Sequence, residues 1–160
     1  MWWFRDIPDD LRLPIPLFVF VCRGGVGQDK NEKRVHTGDQ HIENIEALTP
    51  TLSADWLKPI LKEVRFRVGV AQKAFNLYLK FLWCLEWILE PPHCPVDNVV
   101  LSAIGNKTRW TKMNGIDSYK DIIAQIREHI QNSGTGESLA QWELELWNEY
   151  RRKQMSNNGV

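Results

Sequence analysis

At 160 residues, with 43% hydrophobic and 25% charged residues and a formal net charge of zero, the chain has the length for one domain around one core. That composition excludes a globally disordered chain. The charge balance excludes a molecule drawn as a whole to polyanions or membranes, so any such affinity must sit in a local patch.

The first 40 residues read differently from the rest. Met1 to Asp10 is acidic, and the apolar stretch that follows is broken by Pro14 and Pro16, so no secretory signal is expected. Residues 16–22 are β-branched and aromatic and run into Gly24-Gly25, which predicts a short strand or extended arm. The cluster Gly24-Gly25-Val26-Gly27 lacks the Gly-Lys-Ser/Thr ending of a P-loop and reads as a plain turn. Residues 28–40 are polar and read as a loop.

Helical spacing begins near His41 with Ile42, Ile45 and Leu48, and Pro50 is expected to stop it. Ser53 suits the cap of a helix running to about Arg67, with Pro59 marking a kink or a later start. Residues 70–89 are apolar on nearly every face, which predicts a helix in the middle of the core with others around it. Its most apolar part carries Asn76, Lys80 and Glu86 and falls short of the about 20 residues a membrane span needs. Pro91, Pro92 and Pro95 then set a rigid link.

Asp97 stands where an N-cap belongs, before Val99-Val100-Leu101 and Ile104, and Gly105 suits the closing cap. Residues 106–115 form a polar loop with Lys107, Arg109, Trp110 and Lys112. Ser118 and Asp121 suggest a capping box, and Tyr119, Ile122, Ile123, Ile126 and Ile130 mark one helical face that Gly134 closes. Ser138 and Gln141 repeat the capping signature before a stripe of Leu139, Trp142, Leu146 and Tyr150. Arg151, Arg152 and Lys153 suit the negative end of that helix, and the tail after Gln154 is expected to fray. The fold expected is mainly α, a single-domain orthogonal bundle of five or six helices. An irregular or short-strand N-terminal arm (1–40) precedes the helical domain (41–154) and the tail (155–160).

Eight tryptophans are an unusual number, and most are expected in the core, where large rings bury the most area. The three cysteines, Cys22, Cys84 and Cys94, form no disulfide framework and suggest a reducing cytoplasm. The pairs His93-Cys94 and His36/His41 have no zinc-ligand spacing, so no metal or other cofactor is expected. A nucleophile elbow of the Gly-x-Ser-x-Gly kind is also lacking. Glu143 and Glu145, two apart on a helix, diverge.

Charge distribution is more informative. Lys58, Lys62, Arg65, Arg67, Lys73 and Lys80 are opposed only by Glu63, and Lys107, Arg109 and Lys112 surround Trp110. Cations interleaved with an aromatic suit a phosphate backbone and an unstacked base. The alternative is a solvated helix face and a loop whose tryptophan tucks inward.

Residues 69–79, Gly-Val-Ala-Gln-Lys-Ala-Phe-Asn-Leu-Tyr-Leu, together with Pro95-Val96-Asp97 and the helix signal after it, resemble the signature of the helix-hairpin-helix DNA glycosylases. Ala71 stands in place of the second hairpin glycine. The resemblance implies a hairpin that grips DNA phosphate through backbone N–H groups. It implies Lys73 as the nucleophile toward a flipped-out nucleotide and Asp97 as the assisting carboxylate. The expected function is a nucleic-acid-associated helical domain, in its enzymatic form a divergent glycosylase. DNA or RNA would be contacted by Lys62, Arg65, Arg67, Gln72, Lys107, Arg109, Trp110 and Lys112. The alternative is a protein-interaction or dimerisation module using Trp142, Trp147 and Tyr150 on the last helix. No membrane partner is expected.

Overall fold

The computed structural model describes residues 37–51, 53 and 66–157, within a unit that begins at Val35. These residues form five α-helices, one 3₁₀ turn and no strand. The helices are α1 (Gly38–Thr51), α2 (Val68–Cys84), α3 (Asn98–Ala103), α4 (Ile116–Ser133) and α5 (Leu139–Asn157), with the 3₁₀ turn at Trp110–Lys112. The fold is mainly α. The expected strand at 16–22, the glycine turn, the helix after Ser53 with Lys62 and Arg65, and Cys22, Trp2, Trp3 and Trp56 lie outside the described residues.

Helix α1 starts three residues before His41 because a reciprocal cap precedes it. The Gln40 N–H donates to Thr37 Oγ1 at 3.3 Å, and the Thr37 N–H donates to Gln40 Oε1 at 3.2 Å. This Thr-x-x-Gln signature lies in a segment whose polarity argued for loop. Pro50 falls in the last turn, and the helix buries His41, Ile45, Leu48 and Thr49.

Helix α2 departs most from expectation, ending at Cys84 rather than 89. The Trp87 N–H reaches back to the Leu82 carbonyl, and the Glu86 N–H to that of Trp83. That is the Schellman pattern, with Glu86 at φ 60° in the left-handed position. Glycine normally marks such a stop, and none stands here. Burial is also one-sided. Val68, Gly69, Ala71, Gln72, Phe75, Asn76 and Leu79 face inward, while Phe81 and Trp87 are 65% and 70% exposed. Uniform hydrophobicity therefore overstated how far this helix is enclosed.

Helix α3 opens on Asp97 and closes at Gly105, which takes φ 70°. Helix α4 begins at Ile116 with Gly115 as its N-cap residue, so Ser118 and Asp121 sit inside the helix and cap nothing at its start. Its inward face is the predicted one: Tyr119, Ile122, Ile123, Ile126 and Ile130 are buried, and left-handed Gly134 ends it. Helix α5 opens on the expected pair, with the Gln141 N–H on Ser138 Oγ at 3.1 Å and the Ser138 N–H on Gln141 Oε1 at 3.4 Å. It runs on to Asn157, past the expected fraying point, although every residue from Asn148 onward is exposed.

The five described tryptophans do not form the core. Trp83, Trp110, Trp142 and Trp147 are half-buried and Trp87 is exposed. The enclosed positions go to Ile45, Leu79, Val96, Val100, Leu101, Ile123, Ile126 and Tyr119. An indole is large and carries an N–H that needs a partner, so it sits more readily at the edge of a small core than inside it. No helix among the described residues is long and apolar enough to cross a membrane.

Candidate functional site

Lys73 and Asp97 meet. Lys73 Nζ lies 3.0 Å from Asp97 Oδ2, with the lysine side chain 27% exposed and the aspartate 5%. Lys73 reaches there because it stands on the second turn of α2, while Pro95-Val96 carries the chain past that turn. Asp97 is held from two sides. Its Oδ1 accepts from the Val99 N–H at 2.9 Å and the Val100 N–H at 3.2 Å, capping α3. Its other oxygen serves Lys73. The Trp110 ring covers the same ammonium, with Nζ 4.8 Å from the ring centre.

Trp110 is positioned by docking of the 106–115 loop onto the first turn of α2. The Gly69 N–H donates to the Met113 carbonyl at 3.0 Å. Arg67 Nη1 donates to the Thr111 carbonyl at 3.3 Å. A Cβ at Gly69 would lie 1.7 Å from the Trp110 carbonyl oxygen, so only glycine admits this approach. The loop thus brings Trp110 over Lys73 and Thr111 onto Arg67, with Lys107, Arg109 and Lys112 exposed along it.

The backbone N–H groups that the resemblance directs at phosphate are engaged internally. Gly69 donates to Met113, and Val70 and Ala71 both donate to the Arg67 carbonyl. None of these three N–H groups is left to receive a phosphate oxygen.

Gln72, expected at the nucleic-acid surface, is fully buried. Its Nε2 donates to the Gly69 carbonyl at 2.9 Å and the Val96 carbonyl at 2.7 Å. Its Oε1 accepts from the Val96 N–H at 3.1 Å and from Asn76 Nδ2 at 3.3 Å. One amide therefore ties the first turn of α2 to the residue before Asp97, fixing Lys73 against its carboxylate. The polar chain continues inward. Asn76 Oδ1 accepts from His41 Nε2 at 2.8 Å, and Asn76 Nδ2 donates to the Tyr119 hydroxyl at 3.1 Å. His93 Nδ1 is 3.0 Å from that hydroxyl, and its Nε2 is 3.3 Å from Arg127 Nη2. A guanidinium only donates, so His93 Nε2 accepts and the Nδ1–H donates to Tyr119. Burial, then the neighbouring His41 and Arg127, lower the His93 pKa to about 3, so the ring is neutral. Burial raises the pKa of the Tyr119 phenol.

Lys80 belongs to a second ion pair, 2.6 Å from Glu143, whose side chain is fully enclosed. This takes Lys80 out of the basic face that the sequence suggested. Burial raises the Glu143 pKa against the pull of Lys80. It also raises that of the neighbouring Cys94 thiol, and Glu143 adds to the rise. Glu145 diverges from Glu143 into solvent, as expected. No group of three or more metal-ligand side chains gathers among the described residues.

Compared with known protein families, curated proteins and solved structures, the chain matches none.

The sequence pointed to Arg67, Lys73, Trp110 and Asp97; Lys73 touches both Asp97 and the Trp110 ring, while Arg67 holds the same loop at Thr111. It missed the role of Gln72, for which an uncharged polar residue four before Asn76 in a largely apolar helix is the main signal. It also missed Glu143, whose pairing with Lys80 spans 63 positions and leaves no local trace.

Proposed function

We propose that this is a nucleic-acid-binding helical domain whose contact face is the start of α2 with the 106–115 loop. The observation that carries the proposal is the docking of that loop on Gly69, which sets the Trp110 ring over Lys73 while Arg67 holds the loop at the Thr111 carbonyl. Lys107, Arg109 and Lys112 follow the phosphates from the exposed loop, and the half-exposed indole is available to an unstacked base. Titration of labelled single- and double-stranded oligonucleotides against salt tests it. Binding should weaken linearly in log–log form with salt. Arg109→Ala and Lys112→Ala should each lower the slope by about one. Trp110→Ala should cost about 1–3 kcal/mol with a single strand. Binding that does not respond to salt, or no binding, would rule the proposal out.

The 3.0 Å approach of Lys73 to Asp97 favours a narrower, enzymatic form. In it Lys73 gives a proton to Asp97 and its amine attacks the sugar C1′ of a damaged nucleotide; the C1′–N bond to the base breaks and the base leaves with that proton, then the C1′–O4′ bond opens, and the resulting imine links protein to DNA. Asp97 balances the positive charge that develops on the sugar. Borohydride should then trap a covalent adduct on lesion-bearing duplexes, and Lys73→Ala should abolish it. Salt-dependent binding without any adduct across common lesions would leave the binding function alone.

A further inference from the structure

The last three turns of α5 are its most exposed part. Every residue from Asn148 to Asn157 is exposed, Tyr150 is 40% exposed and Met155 is 58% exposed. A helical stretch of this length is marginal by itself in water and is carried here by the packed first half of α5. Beside it runs an open groove of about 410 Å³ lined by Val99 and Ala103 of α3 and by Leu146 and Tyr150 of α5, among others. Small residues on the α3 side, Ser102 and Ala103, let another backbone come close.

The charges on this face complement themselves on reversal. Glu149 and Lys153 both line the groove and lie equally far from Arg151 along the helix. Within one chain they form only a loose, exposed pair at 3.8 Å, the kind that contributes little and is easily exchanged. Arg151 and Arg152 are not among the lining residues, so an axis through this point brings no like charges together in the groove. These are the requirements of an isologous interface, in which one patch serves both copies.

We infer that two copies of this chain associate through the exposed half of α5, packed antiparallel about a two-fold axis near Arg151, with Glu149 of each copy opposite Lys153 of the other. The pairing covers Leu146, Tyr150, Val99 and Ala103 and satisfies the exposed turns. It involves none of the residues assigned to nucleic acid, so either proposal stands without the other.

Sedimentation equilibrium on the full chain tests it, with circular dichroism to confirm that each variant keeps its helix. The wild type should dimerise with rising concentration. Lys153→Glu should weaken association at least tenfold by setting like charges opposite each other. The double exchange Glu149→Lys with Lys153→Glu should restore it, and Tyr150→Ala should weaken it at least tenfold. A monomer throughout, association indifferent to Lys153→Glu, or a double exchange that fails to restore it would overturn the inference.

Discussion

Gly69 is the residue on which the candidate site depends most directly. Its Cα lies against the Trp110 carbonyl, so Gly69→Ala must push the 106–115 loop away from α2. Overpacking of this kind costs about 1–3 kcal/mol. The expected result is a lower unfolding midpoint together with loss of the Lys73–Trp110 contact, read from indole fluorescence. His93 supports a different measurement. Unfolded, its imidazole titrates at the ordinary 6.5; folded, it does so at about 3. Below about pH 6.5 the unfolded chain takes up a proton that the folded chain refuses. Stability should therefore be fully present above pH 6.5 and fall as pH drops toward 3, by up to about 1.4 kcal/mol per unit. Glu143, whose pKa is raised by burial, acts in the opposite sense from its ordinary 4.5 upward, so the His93 share is the difference in slope between the wild type and a His93 variant below pH 6.5. In denaturant titrations His93→Asn, which keeps a donor toward Tyr119, should flatten the slope there.

Among the elements, the join between α2 and the Pro95–Asp97 segment is the one a single side chain decides. Gln72→Leu keeps the size and removes the amide, leaving the Val96 N–H and carbonyl without partners in the interior. Each buried orphan costs about 1–3 kcal/mol, so the variant should unfold well below the wild type in urea. Helix starts offer a gentler check. Ser138→Ala removes the acceptor for the Gln141 N–H and should cost about 1 kcal/mol. The contrast between helices explains what could be read in advance. The inward face of α4 repeats at helical spacing and ends at a glycine, so pattern and outcome agree. Helix α2 is apolar on most sides and stops at Glu86, so neither its buried side nor its end was visible.

For the molecule as a whole, one consequence concerns the thiols. Cys84 is exposed and Cys94 is buried. A thiol reagent should label Cys84 in the native protein and reach Cys94 only when the chain unfolds. Mass spectrometry after brief labelling, with and without denaturant, separates the two; native labelling of Cys94 would mean that the link after α2 opens readily.

Local physics fixed much of this protein from sequence alone. Side-chain caps at Asp97 and Ser138, glycine stops at Gly105 and Gly134, and the isoleucine face of α4 each depend on neighbours within a few positions. Charge spacing likewise marked Arg67, Lys73 and the Trp110 loop as candidates. Tertiary structure alone decided the rest. Lys73 finds Asp97 across 24 positions and Lys80 finds Glu143 across 63. Gln72 turns inward because buried backbone at Gly69 and Val96 needs it. Four of the described tryptophans sit at the edge because the small core filled with aliphatic side chains instead. Such pairings follow from which surfaces the fold removes from water, and no short-range pattern in a chain encodes that choice.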